Sequence, residues 1–179
     1  MQLASQQTLP VSQDDAWAAL NDTEVLKACI PGCESIVASG PNQYDVAMTA
    51  AVGPVKAKFK GKLKLSDLNP PTSYTINFDG QGGAAGHGKG KAEVRLEPKG
   101  PRETLLHYTA TASVGGKIAQ IGSRLVDMAA QKMAGEFFAS FDQQLRQRHG
   151  VVATPEPSVA PPSGLLARIV AWFRRLVGA

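Results

Sequence analysis

Residues 83–90, GAAGHGKG, fit the spacing G-x-x-x-x-G-K of a phosphate-binding loop, and Gly80, Gly82 and Ala85 fit a dinucleotide fingerprint. Such loops work because their amides open a helix whose positive end faces the anion, and because a Ser or Thr after the Lys holds magnesium. Here Gly90 follows Lys89, and an alternating, strand-like run follows that. The segment therefore reads as strand, turn, strand, with no nucleotide site. Cys29 and Cys33 are too few for a disulfide framework, and His87, His107 and His149 lie too far along the chain to complete a zinc site with them. Reduced thiols and no metal are expected. His107 falls on the strand face opposite Tyr108 and His149 falls past the last helix, and the sequence offers neither a companion for acid–base work.

The element that must position any site is the stretch 117–148, which alone is long and periodic enough for a helix of many turns. Ile118, Ile121, Leu125, Met128, Phe137, Phe141 and Leu145 recur at helical steps and are read as its buried face. Gly115 and Gly116 break the chain before it, while Arg146 and Arg148 suit the negative end of its dipole and Gly150 a stop. Ala119, Gly122, Ala129, Ala130, Ala134 and Gly135 lie between the large residues, and such small side chains admit a close sheet or leave a hollow.

Upstream, residues 2–9 read as a strand. Ser12 caps a short helix carrying Trp17 and Leu20, a second short helix runs from Glu24 to Ala28, and Pro31-Gly32 turns the chain. From Glu34 the period becomes two. Strands follow in ESIVAS and in QYDVAMTAAV, whose Tyr44, Val46, Met48 and Ala50 share a face. In the next, Val55, Ala57, Phe59, Gly61, Leu63 and Leu65 alternate with Lys56, Lys58, Lys60, Lys62 and Lys64, so one face is apolar and the other a row of ammonium groups. That row is the solvated face of a sheet, or else a docking surface for an acidic partner or lipid heads. Tyr74, Ile76 and Phe78 turn inward from SYTINFDG, Gly88, Gly90 and Ala92 from the strand of residues 86–97, and Leu106, Tyr108 and Ala110 from the last strand. One strand, two short helices, six strands and a long helix make an α+β fold: a curved seven-stranded antiparallel sheet gripping the helix, with a hollow between them.

At 179 residues with net charge +4, the chain has room for one domain and an appendage. A slight basic excess without a nucleic-acid motif argues against nucleic acid as partner. The amino terminus lacks the basic start and apolar run of a secretory signal, so a cytoplasmic protein is expected. Residues 1–150 form the expected domain. Residues 151–163, VVATPEPSVAPPS, read as an extended Pro/Ala tether, and 164–179 as an amphipathic helix. On that helix Leu165, Ile169, Trp172 and Leu176 form a stripe flanked by Leu166, Phe173 and Val177, with Arg168, Arg174 and Arg175 on the other side. It is too short to span a bilayer and suited to lie on an anionic one, at the inner face of the cell membrane.

The segments WAALNDTEVLKACIPGCESI from Trp17, GQGGAAGHGKGKAEV from Gly80 and LVDMAAQKMAGEFF from Leu125 resemble the G-subunit family of carbon monoxide dehydrogenase, a branch of the Bet v 1/START-like (SRPBCC) superfamily. The resemblance covers residues 1 to about 150. It implies a helix-grip fold with a cavity for hydrophobic ligands under the long helix, and a non-catalytic accessory that ties a molybdenum hydroxylase to the membrane or its quinone pool. The residues expected around the cavity are Tyr44, Met48, Phe59, Phe78, Gly88, Gly90, Tyr108, Leu125, Met128, Ala129 and Phe137. A lipophilic small molecule, a quinone or another lipid, is the expected occupant, with no cofactor held covalently or by motif. The alternatives are an aromatase or cyclase of the same superfamily, which needs an ionisable pair facing inward, and an assembly factor, which needs only protein contacts and a filled interior.

Overall fold

The computed structural model describes residues 1–151 of the chain. Strand β1 (Gln2–Leu9) leads into helices α1 (Gln13–Leu20) and α2 (Thr23–Cys29). Strands β2 (Cys33–Gly40), β3 (Gln43–Val52), β4 (Val55–Asn69), β5 (Ser73–Gln81), β6 (His87–Gly100) and β7 (Glu103–Gly115) follow, with one 3-10 turn, Gly83–Ala85, between β5 and β6. Helices α3 (Lys117–Gln120) and α4 (Ser123–His149) come last. The seven strands form one sheet in the order β1-β7-β6-β5-β4-β3-β2, every neighbouring pair antiparallel. The helix-grip architecture expected from the period changes is the one observed. The tether and the amphipathic tail at 151–179 fall, apart from Val151, outside the described residues.

Local chemistry explains the short helices. The Ser12 hydroxyl oxygen accepts from the Asp15 amide at 3.2 Å and donates to Asp15 Oδ2 at 2.7 Å. Asp22 caps α2 by accepting from the Glu24 amide at 2.9 Å. α1 packs on β6 and β7, while α2 packs on β2 and on α4. The Asp22 carboxylate accepts from Arg148 at 2.8 Å, tying the start of α2 to the end of α4. A left-handed Gly150, φ 60°, closes α4.

The solid part of the core lies where α1, α2 and the last turns of α4 meet the sheet. Leu9, Val11, Val25, Leu96, Leu106, Phe141 and Leu145 are buried there, each contributing about 1.5–3 kcal/mol from its burial. Thr104 is the buried polar residue of this region, and its hydroxyl donates to the Val11 carbonyl at 2.9 Å. Its hydrogen-bonding capacity is therefore met inside the core.

Two expectations for the long helix fail. The helix is broken: α3 ends at Gln120, and Gly122, at φ 98°, starts α4 in a backbone conformation that side-chain-bearing residues avoid. The break resets the helical phase. Leu125 and Met128, read as inward by counting from Ile118, are 42% and 56% exposed, and Val126 is buried in their place. The side chains that cover the sheet are Val126, Ala129, Ala130, Met133, Phe137, Phe141 and Leu145.

Candidate ligand cavity

Between the sheet and α4 lie two adjoining hollows. An inner cavity of ≈ 230 Å³ sits under α1, α2 and the middle of α4, with Leu26, Ile36, Leu65 and Phe138 among its walls. An outer cavity of ≈ 310 Å³ continues toward α3 and the β3–β4 hairpin, beneath Val126, Ala129, Ala130 and Met133, and is open to solvent. Strand alternation produces both: along β3, β4 and β5 every second residue points to α4, and the opposite set is polar on β4 and β5 and mixed on β3, where Ala47 and Ala51 join Gln43, Asp45 and Thr49. Lys56, Lys58, Lys60, Lys62 and Lys64 accordingly stand exposed on the far face, where Lys58 meets Glu34 at 3.3 Å.

Of the residues expected around a cavity, Tyr44, Tyr108 and Phe137 line the inner one, and Met48, Phe59, Phe78, Gly88 and Ala129 line the outer. Three lie elsewhere. Leu125 and Met128 face outward for the reason just given. Gly90 lines neither hollow, because the backbone of β7 and the ring of Phe78 already crowd it: a Cβ there would overlap the Thr111 carbonyl oxygen and stand 2.8 Å from Phe78 Cζ. Its missing side chain makes room for Phe78. Sequence reasoning missed Leu63 as the residue common to both hollows, and it missed the α1–α2 contribution of Leu20, Leu26 and Ile30. The alternation of β4 does carry Leu63; α1 and α2 are too short for a reliable facing pattern.

The inner wall is carbon almost throughout. Among the described residues Asn21 is its one side-chain amide, and its Nδ2 donates to the Trp17 carbonyl at 2.9 Å. Tyr44, Tyr74 and Tyr108 contribute rings; Trp17 packs edge-on against Tyr74 at 5.3 Å, and Phe138 stacks on Tyr108 at 5.2 Å. Burial pushes the Tyr74 phenol well above its usual pKa, so it stays neutral. Burial likewise raises the Cys29 and Cys33 thiols, which stay protonated and free of a disulfide. Lys62, Asp79 and His87 border the outer cavity and are exposed, Lys62 and Asp79 at alternate positions that point to the far face of the sheet.

The histidines do have companions that the sequence hid. His107 Nε2 lies 3.3 Å from Glu97 Oε2 across the β6–β7 ladder, and His149 Nδ1 lies 3.8 Å from Asp15. The Glu97 carboxylate is held below its usual pKa by Lys99 first and then by His107. Both sites are surface pairs away from the hollows. Among the described residues there is no cluster of three metal-ligating side chains, and no helix is long and apolar enough to cross a membrane.

The fold around this trough has counterparts among known proteins. The family model described as the G-subunit of carbon monoxide dehydrogenase (CoxG) matches residues 6–146. The chain belongs to this family. Among solved structures it is similar to a conserved protein from Geobacillus kaustophilus, at 28% identity and TM-score 0.78, over 82% of this chain and 96% of that one. It also shares its fold with a START superfamily protein from Mycobacterium smegmatis, at 14% identity and TM-score 0.64, over 82% and 98% of the two chains. The Zhui aromatase/cyclase from Streptomyces sp. R1128 matches at 13% identity and TM-score 0.63, over 83% and 95%. A comparison with curated proteins finds no match. The CoxG chain thus has the START/Bet v 1-like fold, and the family description associates it with a carbon monoxide dehydrogenase.

Proposed function

We propose that this CoxG chain is a non-catalytic accessory that holds a carbon monoxide dehydrogenase-type molybdenum hydroxylase at the inner face of the cell membrane and carries a lipophilic ligand, a quinone, beneath α4. The carbon-walled trough between sheet and helix is the observation that supports this reading most directly. Water gains little by filling such a space, whereas the tail of an amphiphile gains from leaving water. The redox partner implied by the family gives the ligand its class, since electrons leaving a soluble hydroxylase for a lipid-dissolved acceptor need a carrier that shields an apolar molecule. An aromatase-like reaction would need an ionisable pair facing the substrate, and among the described residues the inner wall holds Tyr44, Tyr74 and Tyr108 but no Asp, Glu, His, Lys or Cys. A purely structural assembly role leaves both hollows without a purpose.

Membrane attachment rests on the sequence of the tail, where a helical reading of 164–179 would put Leu165, Ile169, Trp172 and Leu176 on one face and Arg168, Arg174 and Arg175 on the other. The ligand is tested directly. Protein purified from its own host is extracted with organic solvent, and ultraviolet spectra are taken before and after borohydride; a quinone is reduced and its absorbance changes. Absence of a quinone signal, together with failure to shield added quinone from the aqueous phase, overturns the ligand reading.

A further inference from the structure

The two hollows are successive stations of one trough. Three walls supply one inward residue to the inner station and the next inward residue to the outer one: Tyr44 then Val46 from β3, Ile76 then Phe78 from β5, Phe137 then Met133 one turn away on α4. Leu63 of β4 belongs to both. Its register partners are Tyr44 on one side and Phe78 on the other, and Phe78 in turn faces Gly90. The absence of a side chain at Gly90 lets the Phe78 ring approach that strand, 2.8 Å from where a Cβ would stand. Leu63 and Phe78 therefore form a low step in the floor of the trough, with Met133 and Phe137 above it.

We infer that this step is a passage. A single amphiphile with one extended chain occupies both hollows, its polar head in the outer station and the end of its chain carried past Leu63 into the inner one. This deepens the proposed function and rests on it. Size argues for a shared occupant, since ligand pockets measure about 300–1,000 Å³ and the inner hollow alone, at ≈ 230 Å³, falls short of that range. Polarity fixes the direction: the outer station meets water, whereas the inner one is covered by α1, α2 and α4 and turns carbon toward its interior. Leu63 and Phe78 then decide whether a chain longer than the outer station is admitted to the inner one. The seat at Gly90 keeps the Phe78 ring drawn against β6 and out of the chain's path, and a larger residue at that position would push the ring into it.

Trp17 reports on the inner station from within, because its ring packs edge-on against Tyr74, which lines that station. The experiment uses the full chain with Trp172→Phe, leaving Trp17 as its one tryptophan. It is titrated with straight-chain primary alcohols of increasing length. Affinity should keep rising by about fourfold per added methylene, the factor expected for burying each CH₂. Trp17 fluorescence should change only once the chain is long enough to pass Leu63. In Leu63→Phe the gain should stop at a shorter chain and Trp17 should stay silent. Ala92→Leu, which fills the inner station from its far wall, should shorten the series in the same way and covers the case in which Leu63→Phe fails to fold. Three results overturn the inference alone: short alcohols bind with no further gain from length, Trp17 responds equally to the shortest alcohol, or neither variant alters the length at which the gain stops. If alcohols of every length fail to bind, the ligand-carrying function falls with it.

Discussion

Gly90→Ala should destabilise the domain, although alanine is the better strand residue at an ordinary position. A Cβ on Gly90 overlaps the Thr111 carbonyl oxygen and lies 2.8 Å from both Ala112 Cα and Phe78 Cζ. The first two belong to the backbone of β7, which is held between β1 and β6 and cannot give way. Overpacking of this kind costs about 2 kcal/mol, which in a chain of this size lowers Tm by roughly 4–8 °C. Gly88 supplies the internal control, two residues along the same strand and facing the same way. A Cβ there meets Val114 Cγ1 at 3.7 Å and the Ser113 carbonyl oxygen at 3.8 Å, ordinary contact distances. Gly88→Ala should therefore leave Tm unchanged or raise it by about 1–2 °C, through the smaller conformational freedom lost on folding. Calorimetry of the three proteins at one pH decides. If Gly90→Ala melts with the parent, or both variants fall together, Gly90 is no seat for Phe78 and the step in the trough is wrongly built.

Other perturbations probe the remaining parts. Phe141→Ala, at a side chain with 0% exposure, should cost about 3–5 kcal/mol in urea unfolding, while Met128→Lys, at 56% exposure, should change stability by less than about 0.5 kcal/mol; equal effects would return Met128 to the buried face. Hydrogen bonding from Arg148, and then from the Glu24 and Val25 amides, lowers the folded-state pKa of Asp22, so its stabilising contribution is present above the ordinary carboxylate pKa and is lost as pH falls through the lowered folded value. Asp22→Ala should cost about 0.5–2 kcal/mol at neutral pH through the lost cap, with the difference from the parent shrinking in acid unfolding measurements; a pH-independent difference would refute the linkage. Trp172→Asp with Phe173→Asp should release the full chain from sedimenting anionic vesicles, and a chain ending at residue 150 should stay in the supernatant; retention of either contradicts tail-mediated binding.

Much of the fold is legible in the sequence because alternation in an amphipathic strand is a local signal. The run from Val55 to Leu65 declares by itself which side chains enter the trough and which lysines leave it, and Ser12 announces the start of a helix. The face of the long helix is harder to read, for a reason visible in its spacing. Met128 and Phe137 stand nine residues apart, roughly two and a half turns, so one uninterrupted helix cannot bury both on a single stripe. Gly122 breaks the count, and the series that covers the sheet runs through Val126, Ala130, Met133 and Phe137 instead. Gly90 misleads for a different reason. A glycine on an inward strand position reads as empty space, yet whether that space is free depends on a neighbour in another strand, and the pairing of Phe78 with Gly90 is a tertiary fact. The companions of His107 and His149 are hidden likewise, since Glu97 and Asp15 reach them only through strand pairing and helix packing.

Native mass spectrometry of the protein purified from its own host weighs the occupant of the trough itself. One lipophilic adduct per folded chain is expected, released on collisional activation with the mass of an isoprenoid quinone, and greatly reduced in Ala129→Phe, whose new ring would occupy the outer station. A chain that flies without any adduct, or one whose adduct persists undiminished in a folded Ala129→Phe protein, would contradict the ligand-carrying function.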